Sequence, residues 1–496
     1  MDGDSPEHPS AMADRDGPVA YTPTAAHEVA LECLLAGIEA ARPENRIADT
    51  CTVSDDALTV ADVTGDGGNT ASYDLTQYDR ITVLGGGNAA AHVVRALEAE
   101  FEFGGSDRLG EQLDTGVVVT DDPVETDIAA VYEGSHPIPS ERGVRNTTRI
   151  LDAAEAAGPD ELVLVVVTGG ASALLTAPAT SLSLADLRAV TRALLASGAT
   201  IDEINAVRKH CSAIKGGQLA RAAAPATVVT LALSDVVGDD PSVIASGPTV
   251  PDATTYGDAL AVLERYGIDA PDAVVARLEG GHAGDRPETP TADADAELFD
   301  RTSTHIIGNG RVALEAARDA ADEQGYTPLV LSSRVRGEAR ESARTHVAIA
   351  EECRQTGEPC SPPAVLLSGG ETTVTLCDDP GRGGPNQEFA LASALELESD
   401  GIVVGSVDTD GVDGATDVAG ALVDATSVET ALESEGTPDQ SGTGARVDAR
   451  DALARNDAFA ALEDADALVR TGPTGTNVND LRVIVVESAT CTDRAC

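Results

Sequence analysis

Residues 81–101 read ITVLGGGNAAAHVVRALEAEF, and the succession of textures in that stretch decides the fold. Ile81–Leu84 is an unbroken apolar run, Gly85-Gly86-Gly87 is a turn, and Ala90, Val93, Val94, Leu97 and Phe101 then recur at i, i+3, i+4, i+7 and i+11, the spacing of one helix face. The same texture returns along the chain. LVLVVV (Leu162–Val167) runs into TGGAS, TVVTLAL (Thr227–Leu233) into SDVVGDD, AVLL (Ala364–Leu367) into SGGETT, and IVVGSV (Ile402–Val407) into DTDGVDG. Ile306-Ile307 leads through Gly308-Asn309-Gly310 into a helix with Leu314, Ala317 and Ala321 on one face, and Gly325 is placed to end it. Unbroken apolar strands alternating with helices predict an α/β protein whose sheets are largely parallel and covered on both faces.

With 496 residues the chain is long enough for two or three domains. The texture is divided into two Rossmann-like α/β domains, residues 23–285 and 300–496, with a cleft between them. Residues 1–22 are polar and rich in Pro and Gly and are expected to form a loose leader. Residues 282–297 (HAGDRPETPTADADAE) and 433–449 (ESEGTPDQSGTGARVDA) lack apolar periodicity and read as surface excursions. The first sets the expected boundary, a linker at 286–299.

Acidic residues number 84 against 33 basic ones, a formal charge of −51. That excludes nucleic acid or an anionic membrane as the main partner, since both require a positive face. The recurring apolar runs exclude wholesale disorder, and an acid-rich globular chain points to adaptation to salt, which screens charge repulsion. Eight scattered cysteines without a C-x-x-C pair point to reduced thiols, and no signal peptide or apolar run of membrane-spanning length is present, so a cytoplasmic location is expected. Lys209 and Lys215 are the only two lysines, and the other basic residues are arginine. Salt adaptation explains few lysines but not why both survivors lie six residues apart.

In open α/β sheets ligands bind beyond the carboxyl ends of the strands. Here those ends carry glycine, hydroxyls and aspartate. Gly85, Gly86, Gly87 and Asn88, then Gly169, Gly170 and Ser172, then Gly369, Gly370 and Glu371 form three turns whose backbone N–H groups suit a phosphate; Asn386 is grouped with them. Any one such turn is more often only a tight turn; three together point to phosphate. Arg208, Lys209, His210 and Lys215 can neutralise a polyphosphate or a carboxylate. Asp235, following Ser234 at a strand end, and Asp239 and Asp240 suit Mg²⁺, which takes one or two carboxylates together with phosphate oxygens; capping and salt-adapted surface are the alternatives for each. His136, in GSHPIPSERG, is a candidate for substrate binding or as a base, or simply a turn residue. Gly85-x-Gly87-x-x-Ala90 matches a dinucleotide fingerprint only weakly, and no G-x-x-x-x-G-K-[ST] or protein-kinase signature occurs.

Taken together, GSHPIPSERG, VTGGASALL, EINAVRKHCSAIKGGQLA, SDVVGDDPSVIASGPTVPD, LLSGGETTVT, GRGGPNQEFAL, DTDGVDGATDVAGALVD and TGPTGTNVNDL resemble the type II glycerate kinases, with their C-terminal MOFRL domain, here about residues 362–490. The resemblance covers roughly residues 23–490. It implies Mg²⁺-dependent transfer of the ATP γ-phosphoryl group to glycerate, usually giving 2-phosphoglycerate, at a site between two domains. On that reading Gly169 and Gly170 hold phosphates, and Lys209 and Lys215, with Arg208, neutralise the transferring group and the glycerate carboxylate. Asp235, with Asp239, holds Mg²⁺, and Asp235 or His136 orients the hydroxyl. Ser234 and Arg382 contact substrate, and Asp410 and Asp413 add an acidic contact from the second domain. ATP and glycerate are the expected partners, and a homo-oligomer is compatible. Two positions depart from the family pattern: Asn88 stands where a lysine is typical and Pro385 where an arginine often stands. Two other readings therefore stay open, an NAD(P)H-dependent hydroxypyruvate reductase using Gly85–Gly87 and a glycerate- or nucleotide-binding family member that has lost turnover.

Overall fold

A computed structural model of the chain describes residues 19–54, 56–64, 69–103, 113–428 and 448–488. Most of the predicted leader, most of the 433–449 excursion and two cysteines, Cys491 and Cys496, lie outside the described residues.

The first sheet has six strands, all parallel: β4 (Arg80–Gly86), β5 (Leu113–Thr120), β6 (Ala129–Glu133), β7 (Glu161–Val167), β8 (Thr227–Leu233) and β9 (Thr302–Gly308), in the order β6-β5-β4-β7-β8-β9. Its apolar runs bury residues on both faces. Val93, Val94 and Leu97 of helix Ala90–Phe103 pack with Ile81 and Val83 on one side. Ile150 and Ala154 of helix Glu141–Glu155 pack with Leu84 and Val163 on the other. The winding reverses between β4 and β7, so the turns after those strands flank the switch point where open α/β sheets bind ligands. A small antiparallel sheet precedes it, β1 (Cys51–Ser54), β2 (Ala57–Ala61) and β3 (Thr70–Asp74). Helices Leu184–Ala196, Ile201–His210, Tyr256–Arg265 and Asp272–His282 form a separate layer around Val190, Val207, Tyr256 and Leu278.

The second sheet has the order β10 (Thr327–Glu338), β11 (Ala364–Thr373), β15 (Asp480–Val486), β12 (Ile402–Asp408), β13 (Gly420–Asp424), β14 (Leu468–Val469). The α/β class holds, but only β10 and β11 pair in parallel; β15 returns from the C-terminal end to lie antiparallel between β11 and β12. An unbroken apolar run reports burial on both faces, which this sheet has, and says nothing of strand direction.

Two expected boundaries move. Strand β9 belongs to the first sheet, so the chain crosses over at Gly308–Gly310 and not at 286–299. The segment before β9 is tied to the helical layer: Glu288 accepts from the backbone N–H of Tyr256, and Thr289 donates to Asp252. Helix Ala25–Ala41, assigned to the first unit by sequence order, packs on the second sheet and on helix Gly310–Glu323 through Ala30, Cys33, Leu34 and Ala313. Val19 pairs with Arg470 through two backbone hydrogen bonds of 2.8 and 2.9 Å, so the described end of the leader is attached. Gly325 takes the left-handed conformation expected after helix Gly310–Glu323.

Candidate active site

The carboxyl ends of the parallel strands face the ends of β10 and β11 across a cleft. Two cavities of about 600 and 590 Å³ lie in it and share Asp235, Val236 and Val237 in their walls. Asp235 follows β8 directly, so the strand carries it to the cleft floor. Gly169 makes the approach possible, because a side chain there would meet the Asp235 carboxylate, and the backbone N–H of Gly170 donates to that carboxylate. Although Asp235 is partly open to the cleft, the surrounding protein desolvates its carboxyl and pushes it up to about 6.

The larger cavity is lined by His136 at its exposed mouth, by Gly170 and Ser172 after β7, by Arg208 at the end of helix Ile201–His210, and by Arg336 and Glu371 from the second domain. Ser172, Ser246 and Asn205 form a hydroxyl–hydroxyl–amide chain at 3.1 and 3.0 Å in its wall. The Arg336 guanidinium donates to the Val237 carbonyl at 3.1 Å, joining the domains. Glu371 is held above the usual glutamate range by desolvation and by the nearby charges of Asp235 and Asp480. The second cavity carries Ser234, Asp239, Asn309, Arg311, Arg334 and Gly370. Asn309 caps helix Gly310–Glu323 and donates to Asp239 at 2.8 Å, and Asn479 of the second domain donates to the Asp235 backbone carbonyl.

Several predicted residues lie elsewhere. Lys209 is buried against Asp252 at 3.2 Å and turns away from the cleft, whereas Lys215, equally buried, has no carboxylate partner among the described residues. Gly85, Gly86 and Gly87 are buried. A side chain on Gly85 would strike the Val166 carbonyl of the neighbouring strand, and one on Gly87 would strike Thr168, so these glycines serve strand packing and leave no cradle for a pyrophosphate. Asn88 lies beneath the TGGAS turn, its Oδ1 buried without a partner. Gly369 sits inside β11 against the Asp480 carbonyl. Asn386, wholly buried, bonds Asp413, Asp480 and Ser406. Arg382 is exposed over the Phe459 ring, 4.2 Å away, beside Asp417. Asp413 accepts from the Asn386 and Gln387 backbone N–H groups and so caps helix Pro385–Glu396 from within the core; burial pushes its carboxyl up to about 6. Asp410 is raised with its neighbour Asp408, both by burial first, Asp408 also by the Asp410 charge.

Sequence reasoning missed Arg334, Arg336, Asn309 and Asn479. The first two come from SSRVRGE, where β10 shifts register twice and so brings both arginines to the cleft; the one available signal was an R-x-R at the end of an apolar strand.

The model of a domain of unknown function, DUF4147, matches residues 29–279, and that of the MOFRL family matches residues 364–480. A D-glycerate 2-kinase of Thermotoga maritima is 39% identical over 409 residues, 81% of this chain and 90% of its own. The chain belongs to the type II glycerate kinase family. A glycerate 2-kinase of Pyrococcus horikoshii is 34% identical over 465 residues, 93% of this chain and 97% of its own. An Agrobacterium vitis relative, provisionally named a hydroxypyruvate reductase, is 44% identical over 412 residues, 82% of this chain and 87% of its own. The crystal structure of the Thermotoga maritima glycerate kinase superposes with a TM-score of 0.77 at 34% identity, covering 94% of this chain and all of the other. The glycerate kinase relatives thus span the whole cleft, both domains included. Among the described residues no helix is long and apolar enough to cross a membrane, and no three His, Cys, Asp or Glu side chains converge as a ready metal site.

Proposed function

We propose that this chain transfers the γ-phosphoryl group of ATP to glycerate, at the 2-hydroxyl, in the cytoplasm of a salt-adapted cell. The observation that carries the reading is Asp235: a desolvated carboxylate at the junction of two cavities, with the Gly170 N–H on one side and arginines of both domains in the walls of those cavities. Phosphoryl transfer needs positioning and charge neutralisation more than covalent help. Asp235 orients the acceptor hydroxyl and takes up its proton as the phosphoryl group leaves ATP. Arg208, Arg334 and Arg336 neutralise the anionic reactants, and the TGGAS turn excludes water from beneath them. The kinase relatives carrying "2-kinase" in their names support the regiochemistry.

Mg²⁺ fits the same place. Asp235 and Glu371 face one cleft closely enough to raise the Glu371 carboxyl, a repulsion a cation relieves. With only one or two carboxylates at hand, the ion would arrive with the nucleotide and be held by Asp235, with phosphate oxygens completing its shell. It would supply charge neutralisation on the phosphates. Asp239, bound by Asn309, is a less apt ligand.

Reduction of hydroxypyruvate would need a nicotinamide dinucleotide at Gly85–Gly87, where protein already fills the space. Incubation with D-glycerate and MgATP in molar KCl, followed by ³¹P NMR, is the direct test. 2-Phosphoglycerate is expected; absence of any phosphoglycerate, with NADH consumed on hydroxypyruvate, would replace this reading.

A further inference from the structure

The two lysines of the chain stand in opposite electrostatic situations. Lys209 is buried and has its own counter-ion in Asp252, which also accepts from Thr254 and Thr289. Lys215, beyond the helix end in the turn that follows, is buried just as deeply at 6% exposure. Its ammonium has one long hydrogen bond, 3.5 Å to the Ala245 carbonyl. Burial first, and the positive charge of Arg208 after it, drive its proton affinity well below the ordinary lysine value. A buried ammonium without an anion is costly, and among the described residues no carboxylate is placed against it, although the chain carries a net charge of −51. A ligand's anion would answer that charge.

The space beside it narrows the choice. A recess of about 60 Å³ has Lys215, Arg208, Ser172 and Ser212 in its wall, set among apolar residues that include Pro139, Leu187 and Val190. It shares Ser172, Ala173 and Arg208 with the larger cavity, so it is a side pocket of the cleft. Its volume is that of roughly two water molecules, enough for a carboxylate group but not for a triphosphate. Asp235, where the phosphoryl group is to pass, borders the larger cavity and not this recess.

We infer that the Lys215–Arg208 recess is the carboxylate subsite, seating the acid group of a short hydroxy acid so that its hydroxyls face Asp235 in the larger cavity. This rests on the kinase reading above and adds the origin of acid specificity: a neutral polyol leaves two cations unanswered, while the carboxylate stays anionic in substrate and product alike and keeps its counter-charges throughout. Binding the anion favours protonated Lys215. Above the free lysine's lowered pKa the acid must bring a proton with it, so its affinity falls as pH rises, by up to tenfold per unit, until the pKa of the bound form is reached.

The test is steady-state kinetics of the full chain with Lys215→Met and Arg208→Gln, varying D-glycerate and MgATP separately. Loss of one partner of a buried charge pair predicts a rise in KM for glycerate of roughly 100-fold, with KM for ATP changed less than about threefold. An equal or larger rise in KM for ATP would overturn the assignment and give the recess to a phosphate. An unchanged KM for glycerate would overturn it outright. Should either variant fail to fold, the wild-type protein decides: calorimetric binding of D-glycerate without ATP is expected to weaken with rising pH and to exceed that of glycerol or glyceramide by at least about 30-fold. Equal binding of acid and neutral analogues would refute the subsite. Failure of the kinase reading is separable, since it would appear as glycerate binding without phosphoglycerate formation.

Discussion

Replacing Asp235 by asparagine is expected to stabilise the protein while disabling it. In the folded protein burial lifts the Asp235 carboxyl from the ordinary 3.8 to about 6. The folded-state pKa lies above the unfolded one, so folding disfavours the charged form. The penalty is absent below about pH 4, grows between pH 4 and 6, and is complete above that. A difference of about two units at 1.36 kcal/mol each sets an upper bound near 3 kcal/mol at neutral pH, and the opening of Asp235 to the cleft reduces this to about 1–2 kcal/mol. Asparagine keeps the shape and sheds the charge. At roughly 2–4 °C per kcal/mol for a unit of this size, Asp235→Asn should melt about 2–8 °C higher at pH 7.5 and indistinguishably at pH 4. Turnover should fall by roughly 10²–10⁴ if the carboxylate takes up the hydroxyl proton, and wild-type kcat/KM should decline on the acid side of about pH 6. Thermal melts of both proteins from pH 4 to 8 in constant molar KCl, with coupled kinase assays on the same samples, measure both halves. A variant less stable than wild type at pH 7.5, or a stability difference that ignores pH, would refute the account of Asp235 as a strained, desolvated carboxylate.

Lys209→Met should cost about 3–5 kcal/mol of stability by leaving Asp252 buried and unpaired, with KM for both substrates nearly unchanged in protein that folds; denaturant midpoints and kinetics separate this from a catalytic loss. Gly85→Ala should prevent folding, because its Cβ would overlap the Val166 carbonyl and backbone on a central strand cannot yield; soluble expression and circular dichroism report it.

Much of the fold was legible because burial on both faces leaves a mark in the sequence. The runs at Ile81, Leu162, Thr227 and Ile306 all became parallel neighbours in the first sheet. The second sheet was legible as strands but not in direction, since β15 reaches its central position from the far end of the chain. At the site, Gly170, Ser172, Ser234 and Asp235, close behind strands, and Glu371, near the end of β11, line the cleft. Composition alone does not separate the residues it singles out. Lys209 and Lys215 look equivalent as rare cations, but one points from a helix into Asp252 and the other lies in a turn after the helix end. The Gly85–Gly87 turn was correctly a place of close approach, but the approaching group is a neighbouring strand and not a phosphate. Asn386 resembled a loop ligand, yet it opens a buried helix and turns inward to two aspartates.

The two departures from the family pattern bear on activity differently once the cleft is seen whole. Pro385 occupies the first turn of helix Pro385–Glu396, a position where proline is favoured and a missing N–H costs nothing. The charge lost there is not lost from the cleft, because β10 delivers Arg334 and Arg336 to its two cavities, and Arg336 already bridges the domains through Val237. Asn88 is a sharper loss, since its amide oxygen is left buried without a partner under Gly170. Arg208, anchored to the Ser172 carbonyl at 3.3 Å, brings a positive charge to the same turn and lines the larger cavity. Arg208 thus keeps a positive charge at the turn in a chain that has only two lysines. Arginine keeps its charge when desolvated, where lysine does not. That charge argues for a working cleft over lost turnover, and it leaves Lys215 as the lysine whose charge depends on what is bound beside it.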